Sequence, residues 1–174
     1  MSNSSLTTLC VTMLFCIFLL CFTVECQQAA PTPTEDPVLT EPLIPYTYYV
    51  DNTQVTIVDG DTVRAQLDLG FDLRYNADVR LRGVDTPETR LIAQRAAGNK
   101  AKAFVSRWFS DNTKKTCRSF SWDKYGGRIL GDFYDANGVS LSETIIKAGY
   151  GRPYNGEKKA PWTATELAAI EALP

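Results

Sequence analysis

The stretch Val58–Arg90, VDGDTVRAQLDLGFDLRYNADVRLRGVDTPETR, decides how the rest of the chain is read. From Thr62 to Leu69 the residues alternate, with Val63, Ala65, Leu67 and Leu69 set against Thr62, Arg64, Gln66 and Asp68. That period of two predicts a half-buried β-strand. Val79-Arg80-Leu81-Arg82 alternates in the same way. Asp59-Gly60, just before the first run, is a hairpin-type turn. Asp85-Thr86-Pro87-Glu88, just after the second, reads as the start of a helix, with Asp85 as cap, Glu88 reaching back and Pro87 in the first turn. Each acidic cluster alone is ordinary turn or cap chemistry. Together, with Arg80 between them, they place several carboxylates and a guanidinium on neighbouring turns.

Further strands are predicted at Tyr46–Val50 and Gln54–Val58, both rich in β-branched and aromatic residues. A helix is expected from Leu91 to Phe109. Its apolar stripe includes Ala93, Ala97, Ala101, Val105 and Phe109, and Gly98-Asn99 weakens its middle. Cys117–Trp122 and Ile129–Tyr134 are strands around the turn Lys124-Tyr125-Gly126-Gly127. A second amphipathic helix runs from Leu141 to Ala148 and stops at Gly149. Ala164–Leu173 is mildly helical and expected to be peripheral. The order β-β-β-α-β-β-α is compatible with an α+β, mainly β fold: a five-stranded Greek-key barrel of the OB type with two or three helices packed outside.

The chain has 174 residues, 44 % of them apolar and 22 % charged, enough for one globular domain with additions. Residues 2–24 carry no charge, and Leu6–Val24 is an unbroken run of apolar residues and threonine. Residues 1–26 therefore read either as a signal peptide or as an uncleaved membrane anchor. Residues 27–45 hold five of the nine prolines and form an extended linker. Acids without bases on that side favour an extracytoplasmic location, secreted or tethered. The folded domain is expected over residues 46–174, as a monomer. Cys10, Cys16 and Cys21 fall in the apolar run, which leaves Cys26 and Cys117, too few for a cysteine-only zinc site. Cys117 reads as a small packing residue.

No histidine is present. This excludes Ser-His-Asp and Cys-His sites, histidine-based zinc sites and every nuclease class with an imidazole base. The net charge of −2 conceals an asymmetry: Asp51–Glu88 carries −4, whereas Arg90–Arg128 carries +8. An acidic half beside a basic half suits a cation-dependent enzyme acting on a polyanion. The acidic isoelectric point, about 5.2, argues against a high-affinity nucleic-acid binder. Two aspartates from different turns offer the oxygen ligation that Ca²⁺ or Mg²⁺ requires, completed by a carbonyl and waters. A nearby glutamate can take a proton from water or orient it, and two arginines can hold phosphate oxygens in forked hydrogen bonds.

Asp59-Gly60-Asp61-Thr62, the run from Arg80 to Thr89 and Asp123–Arg128 resemble, in this order and spacing, the staphylococcal nuclease (thermonuclease-like) family. The resemblance covers roughly Gln54–Pro161. It implies an OB-fold barrel and Ca²⁺-dependent hydrolysis of DNA and RNA to 3′-phosphorylated products. Carried over by position, Asp61 and Asp85 would be carboxylate ligands of the ion, with the Thr86 carbonyl completing the set and Asp59 supporting them from behind. Glu88 would activate or orient the attacking water. Arg80 and Arg128 would contact the scissile phosphate, and Lys124 and Tyr125 another phosphate of the substrate. Tyr154 reads either as a base-stacking residue or as a rim tyrosine packed on the barrel. The family usually has arginine directly after a single glycine, whereas here Gly126 and Gly127 precede Arg128. Either the second glycine is absorbed as a bulge and Arg128 still meets the phosphate, which is the expectation, or the arginine is misplaced. The rival functional reading is a catalytically inactive, nuclease-like module that binds nucleic acid or protein.

Overall fold

The alternation in Thr62–Leu69 extends into a hairpin whose inner face lines a closed barrel. The computed structural model describes residues 46–111, 113–124 and 126–174. The leader or anchor over 1–26, the linker over 27–45 and Tyr125 lie outside them. Among the described residues no helix is long and apolar enough to cross a membrane.

The chain runs β1 (Tyr46–Asp59), β2 (Thr62–Gly70), β3 (Leu73–Leu81), β4 (Gly83–Asp85), a 3₁₀ turn (Ile92–Gln94), α1 (Arg95–Ser110), β5 (Lys115–Trp122), β6 (Ile129–Tyr134), α2 (Leu141–Lys147), β7 (Arg152–Tyr154) and α3 (Ala164–Glu171). The barrel order is β1-β2-β3-β6-β5, closed by β1 against β5. All pairs are antiparallel except β3 with β6. This is the expected five-stranded OB-type barrel. Its interior is Val63, Ala65, Leu67, Ala77, Val79, Leu81, Cys117 and Phe133, none more than 2 % exposed. Each fully buried aliphatic side chain here contributes about 1.5–3 kcal/mol. Cys117 is a free thiol, and burial pushes its pKa up to about 12, so it packs as a neutral group.

Several boundaries differ from expectation. The two short N-terminal strands are one strand, β1, with a register shift between Asp51 and Val55. The polar residues there form a bulge in which Asp51 Oδ1 accepts from Thr53 N and Oγ1 at 2.9 and 2.7 Å. β3 begins at Leu73, six residues before its apolar alternation is visible, because its first four residues are exposed on both faces. The helix starts at Arg95, and neither it nor the preceding 3₁₀ turn has a side-chain cap. Asp85 is therefore the last residue of a strand and not a helix cap. β4 pairs with β7 in a two-stranded sheet outside the barrel, with Asp85 opposite Arg152. The C-terminal helix is not peripheral. α3 carries a full capping box at Thr163 and Glu166, buries Leu167 and Ile170, and packs on α1. Lys100 Nζ donates to Leu173 O at 2.7 Å, which ties the chain's end to α1.

Candidate active site

Two acidic turns meet because α1 presents them a face with almost no side chains. Gly60 and Asp61 are the two-residue link between β1 and β2, with Asp59 paired to Thr62. A Cβ on Gly60 would lie 2.8 Å from both Ala101 Cβ and Thr86 Oγ1. A Cβ on Gly98 would lie 2.8 Å from Pro87 O and 3.0 Å from Thr89 N. Ala97, Gly98 and Ala101 thus seat the Asp59–Thr62 turn and the Thr86–Thr89 loop on one helix surface. Gly98, expected only to weaken the helix, is the point of closest approach. Gly151 does the same from β7's side, since a Cβ there would be 3.0 Å from Asp85 O.

These contacts bury the acids: Asp61 is 4 % exposed and Asp85 1 %. Thr86 N donates to Asp61 Oδ2 at 3.3 Å, so the two turns are hydrogen-bonded to each other. Asp59 accepts from Thr89 N at 3.2 Å and from Thr89 Oγ1, and so anchors the loop that carries Glu88. Arg80 stands opposite Thr62 in the β2–β3 register. Its Nη1 donates to Leu81 O at 2.8 Å and Val84 O at 3.0 Å, while its Nη2 lies 3.0 Å from Asp61 Oδ2. That Nη2 is buried yet makes no directed hydrogen bond. Burial raises the pKa of Asp61 above the ordinary carboxylate value, with Arg80 and Lys159 opposing and Glu88 adding to the rise.

Asp85 has two basic partners that no local pattern announces. Arg152 Nε and Nη2 both donate to Asp85 Oδ2 at 3.2 Å. The same guanidinium reaches Glu166 at 3.4 Å and lies 4.0 Å from the Trp162 ring centroid. Lys159 Nζ is 2.6 Å from Asp85 Oδ1 and 3.4 Å from Glu88 Oε1. Burial works to lower the pKa of Lys159, but Asp85 and the charge of Asp61 overcome it, so the net shift is upward.

The acids open onto a cleft of about 830 Å³ whose wall includes Asp61, Arg80, Glu88, Lys124, Arg128 and Tyr154. Arg128 therefore lines the same cleft as Arg80 despite the second glycine. Gly126 and Gly127 both take left-handed φ, 71° and 74°, which absorbs the extra residue, and Asp123 N donates to Arg128 O across the turn at 2.9 Å. The Arg128 guanidinium is turned onto Asp123, with Nη2 2.5 Å from Oδ2. Lys124 Nζ is 3.5 Å from the Tyr154 hydroxyl and 3.4 Å from Gly156 O. The Tyr154 ring lies 5.9 Å from the Arg80 guanidinium, and its hydroxyl donates to Glu157 O at 2.8 Å. Tyr154 thus borders the cleft, with its ring centroid 5.9 Å from the Arg80 guanidinium and 5.7 Å from the Lys159 ammonium. All the expected site residues except Tyr125, which is outside the described residues, border this cleft or the acids beneath it.

The donor chemistry fits a hard divalent cation. Asp61 and Asp85 are buried carboxylates; Thr86 N, next to Asp85 in the chain, donates to Asp61 Oδ2, while Asp85 Oδ1 faces the Lys159 ammonium at 2.6 Å. Among the described residues no three acidic or thiol side chains cluster tightly enough to bind a metal by themselves. The protein's share would be two carboxylates and a carbonyl, with water supplying the remainder.

Comparison with known proteins adds two findings. The family described as "Staphylococcal nuclease homologue" matches residues 78–173, a range that holds Arg80, Asp85, Glu88, Arg128 and Tyr154 but begins after Asp59 and Asp61. A protein of Escherichia coli named an uncharacterized endonuclease is 30 % identical over 95 residues, and one of Escherichia coli O157:H7 with the same name is 28 % identical over 95 residues. Each match covers 55 % of this chain and 55 % of the relative, so the chain matches about half the length of these curated relatives.

Proposed function

The chain belongs to the family of staphylococcal nuclease homologues, and from that premise we propose that it is a nuclease that hydrolyses phosphodiester bonds of DNA or RNA in the cleft between Asp61 and Arg128. The observation that carries this reading is the meeting of Asp61, Glu88 and Arg80 on one cleft, with Asp85 buried next to Thr86, whose N–H bonds Asp61, and with Arg80 Nη2 buried against Asp61 without a directed hydrogen bond. A phosphate oxygen is the acceptor that such a donor suits, since charge-assisted guanidinium–phosphate bonds are among the stronger polar contacts.

Substrate enters along the basic rim. Lys124 and Arg128 draw in the backbone, and Arg80 orients the scissile phosphate from below. Glu88, on a loop fixed by Asp59 and by Gln94 Oε1 at 2.9 Å from Glu88 N, accepts a proton from the attacking water. Water attacks phosphorus in line, the bond to the 5′ oxygen breaks, that oxygen takes a proton from solvent in the cleft, and a 3′-phosphorylated end and a 5′ hydroxyl remain. Arg80 and Arg128 offset the charge that builds on the non-bridging oxygens; as arginines they stay charged throughout and do not act as proton donors. A divalent cation, Ca²⁺ or Mg²⁺, held by Asp61, Asp85 and the Thr86 carbonyl would supply Lewis-acid charge neutralisation.

The test is a time course on DNA and RNA with Ca²⁺, with Mg²⁺ and with chelator. Cleavage is expected only with the cation, and Glu88→Gln is expected to slow it about a hundredfold to ten-thousandfold. Salt-sensitive binding without product would instead identify a non-catalytic module. From the apolar run at residues 6–24 and the proline-rich linker we also infer export, secreted or tethered, which N-terminal sequencing of the mature protein and cell fractionation would test.

A further inference from the structure

We propose that Lys159 is a built-in cation of this site, occupying Asp85 and Glu88 until a divalent ion displaces it, so that ion binding and outward movement of Lys159 are one event. The proposal rests on the reading of Asp85 as a cation ligand.

Three acids, Asp61, Asp85 and Glu88, face three bases, Arg80, Arg152 and Lys159, all in ion-pair contact. The charge of Asp85 is already matched by two bases, Arg152 and Lys159. A divalent ion arriving at Asp85 would therefore lie beside an ammonium in a weakly screened place, where like-charge repulsion is strong. One of the three bases must move, and the structure shows which. Arg80 is 7 % exposed and is held by carbonyls at both ends of the β3–β4 connection. Arg152 sits in strand β7, stacked on Trp162 and bonded to Glu166 and Ala160 O. Lys159 has no such frame. It lies in a segment without helix or strand, and 40 % of its side chain is in solvent. Its ammonium contacts Asp85 Oδ1 at 2.6 Å and Glu88 Oε1 at 3.4 Å.

The lysine also occupies a partition. Lys159 and Glu88 line both the main cleft and a second hollow of about 490 Å³ bounded by Asp85, Leu91 and Trp162. Swinging Lys159 out would free Asp85 Oδ1 and Glu88 together and join the two spaces. The ammonium would then face the cleft, where the Tyr154 ring is already 5.7 Å away, and add a positive charge on the substrate's side.

Calcium titration calorimetry on the full chain, with no nucleic acid present, tests this. If the ammonium holds Asp85 in roughly nine molecules of ten, Lys159→Met should bind Ca²⁺ about tenfold more tightly, because affinity scales with the fraction of open sites. Lys159→Arg, which keeps the charge, should stay near the parent value. Hydrogen exchange at residues 157–159 should rise on Ca²⁺ addition in the parent and change little in Lys159→Met. Equal or weaker Ca²⁺ binding by Lys159→Met overturns the inference while leaving the cation site in place. Absence of binding in parent and variant alike, with Asp85→Asn as reference, removes the cation site itself and the inference with it.

Discussion

Asp61 on one rim of the cleft and Asp85 beneath it are 4 % and 1 % exposed, in turns seated on α1 through Gly60 and Pro87–Thr89, whereas Arg128 on the other rim keeps 35 % of its side chain in solvent, on a turn of two left-handed glycines. The acidic rim is set when the chain folds. Its carboxylates, loop and helix face share the same packed contacts. The basic rim is set locally, and its arginine rests on Asp123 until a better anion arrives. Changes on the acidic rim should therefore alter stability and rate together, and changes on the basic rim should alter rate alone.

The largest separation of the two readouts is expected from Arg128→Ala. Removing one group that stabilises the transition state should lower kcat about a hundredfold to a thousandfold, while the melting temperature stays near the parent's, because its ion pair is partly exposed. A matching fall in melting temperature would break the comparison. Gly98→Val, on the acidic rim, should do both. A valine there regains only about 0.3 kcal/mol of helix propensity and forces its side chain into the backbone of Pro87–Thr89, so a net loss of about 1–3 kcal/mol is expected by urea denaturation. With Glu88 displaced, the rate should also fall about a hundredfold. Gly127→Ala is milder. Nothing lies within 4 Å of the added Cβ, but φ is 74°, so about 1 kcal/mol of left-handed strain and a severalfold loss of rate are expected.

The smallest effect concerns the wall between the rims, where Arg64 Nε donates to Asp78 Oδ1 at 2.6 Å. This hydrogen bond, aided by the arginine's charge, holds the Asp78 carboxyl below its ordinary value. For an acid whose folded value is depressed, the stabilisation is present above the unfolded value and lost as pH falls through the folded one. Stability measured from about pH 5 downward should therefore fall less steeply in Arg64→Ala than in the parent, by a few tenths of a kcal/mol, since the pair is largely solvated.

The barrel was legible where burial is one-sided. Val63–Leu67 alternates because one face meets the core, and Val79–Leu81 because the core takes one face and the buried charge of Arg80 the other, whereas Leu73–Asn76 hides its strand because both faces are wet. Asp61, Asp85, Glu88 and Arg80 could be named as candidates because acidic turns at fixed spacing, with a strand arginine between them, carry their chemistry in the local sequence. Arg152 and Lys159 were not. Arg152 meets Asp85 across 67 positions, and Lys159 meets Glu88 across 71, with no periodicity or turn signal to join them. Gly98 was misread for a related reason: helix propensity is local, whereas the loop that needs its missing side chain comes from elsewhere in the chain.

By itself the sequence determined the kind of chemistry open to this protein. With no histidine, any catalysis must rest on carboxylates, arginine, lysine, tyrosine or a metal ion. Only the tertiary structure decided how those charges are matched. A buried carboxylate is neutralised by whichever cation the fold brings near, and Coulomb interaction depends on distance in space rather than separation along the chain.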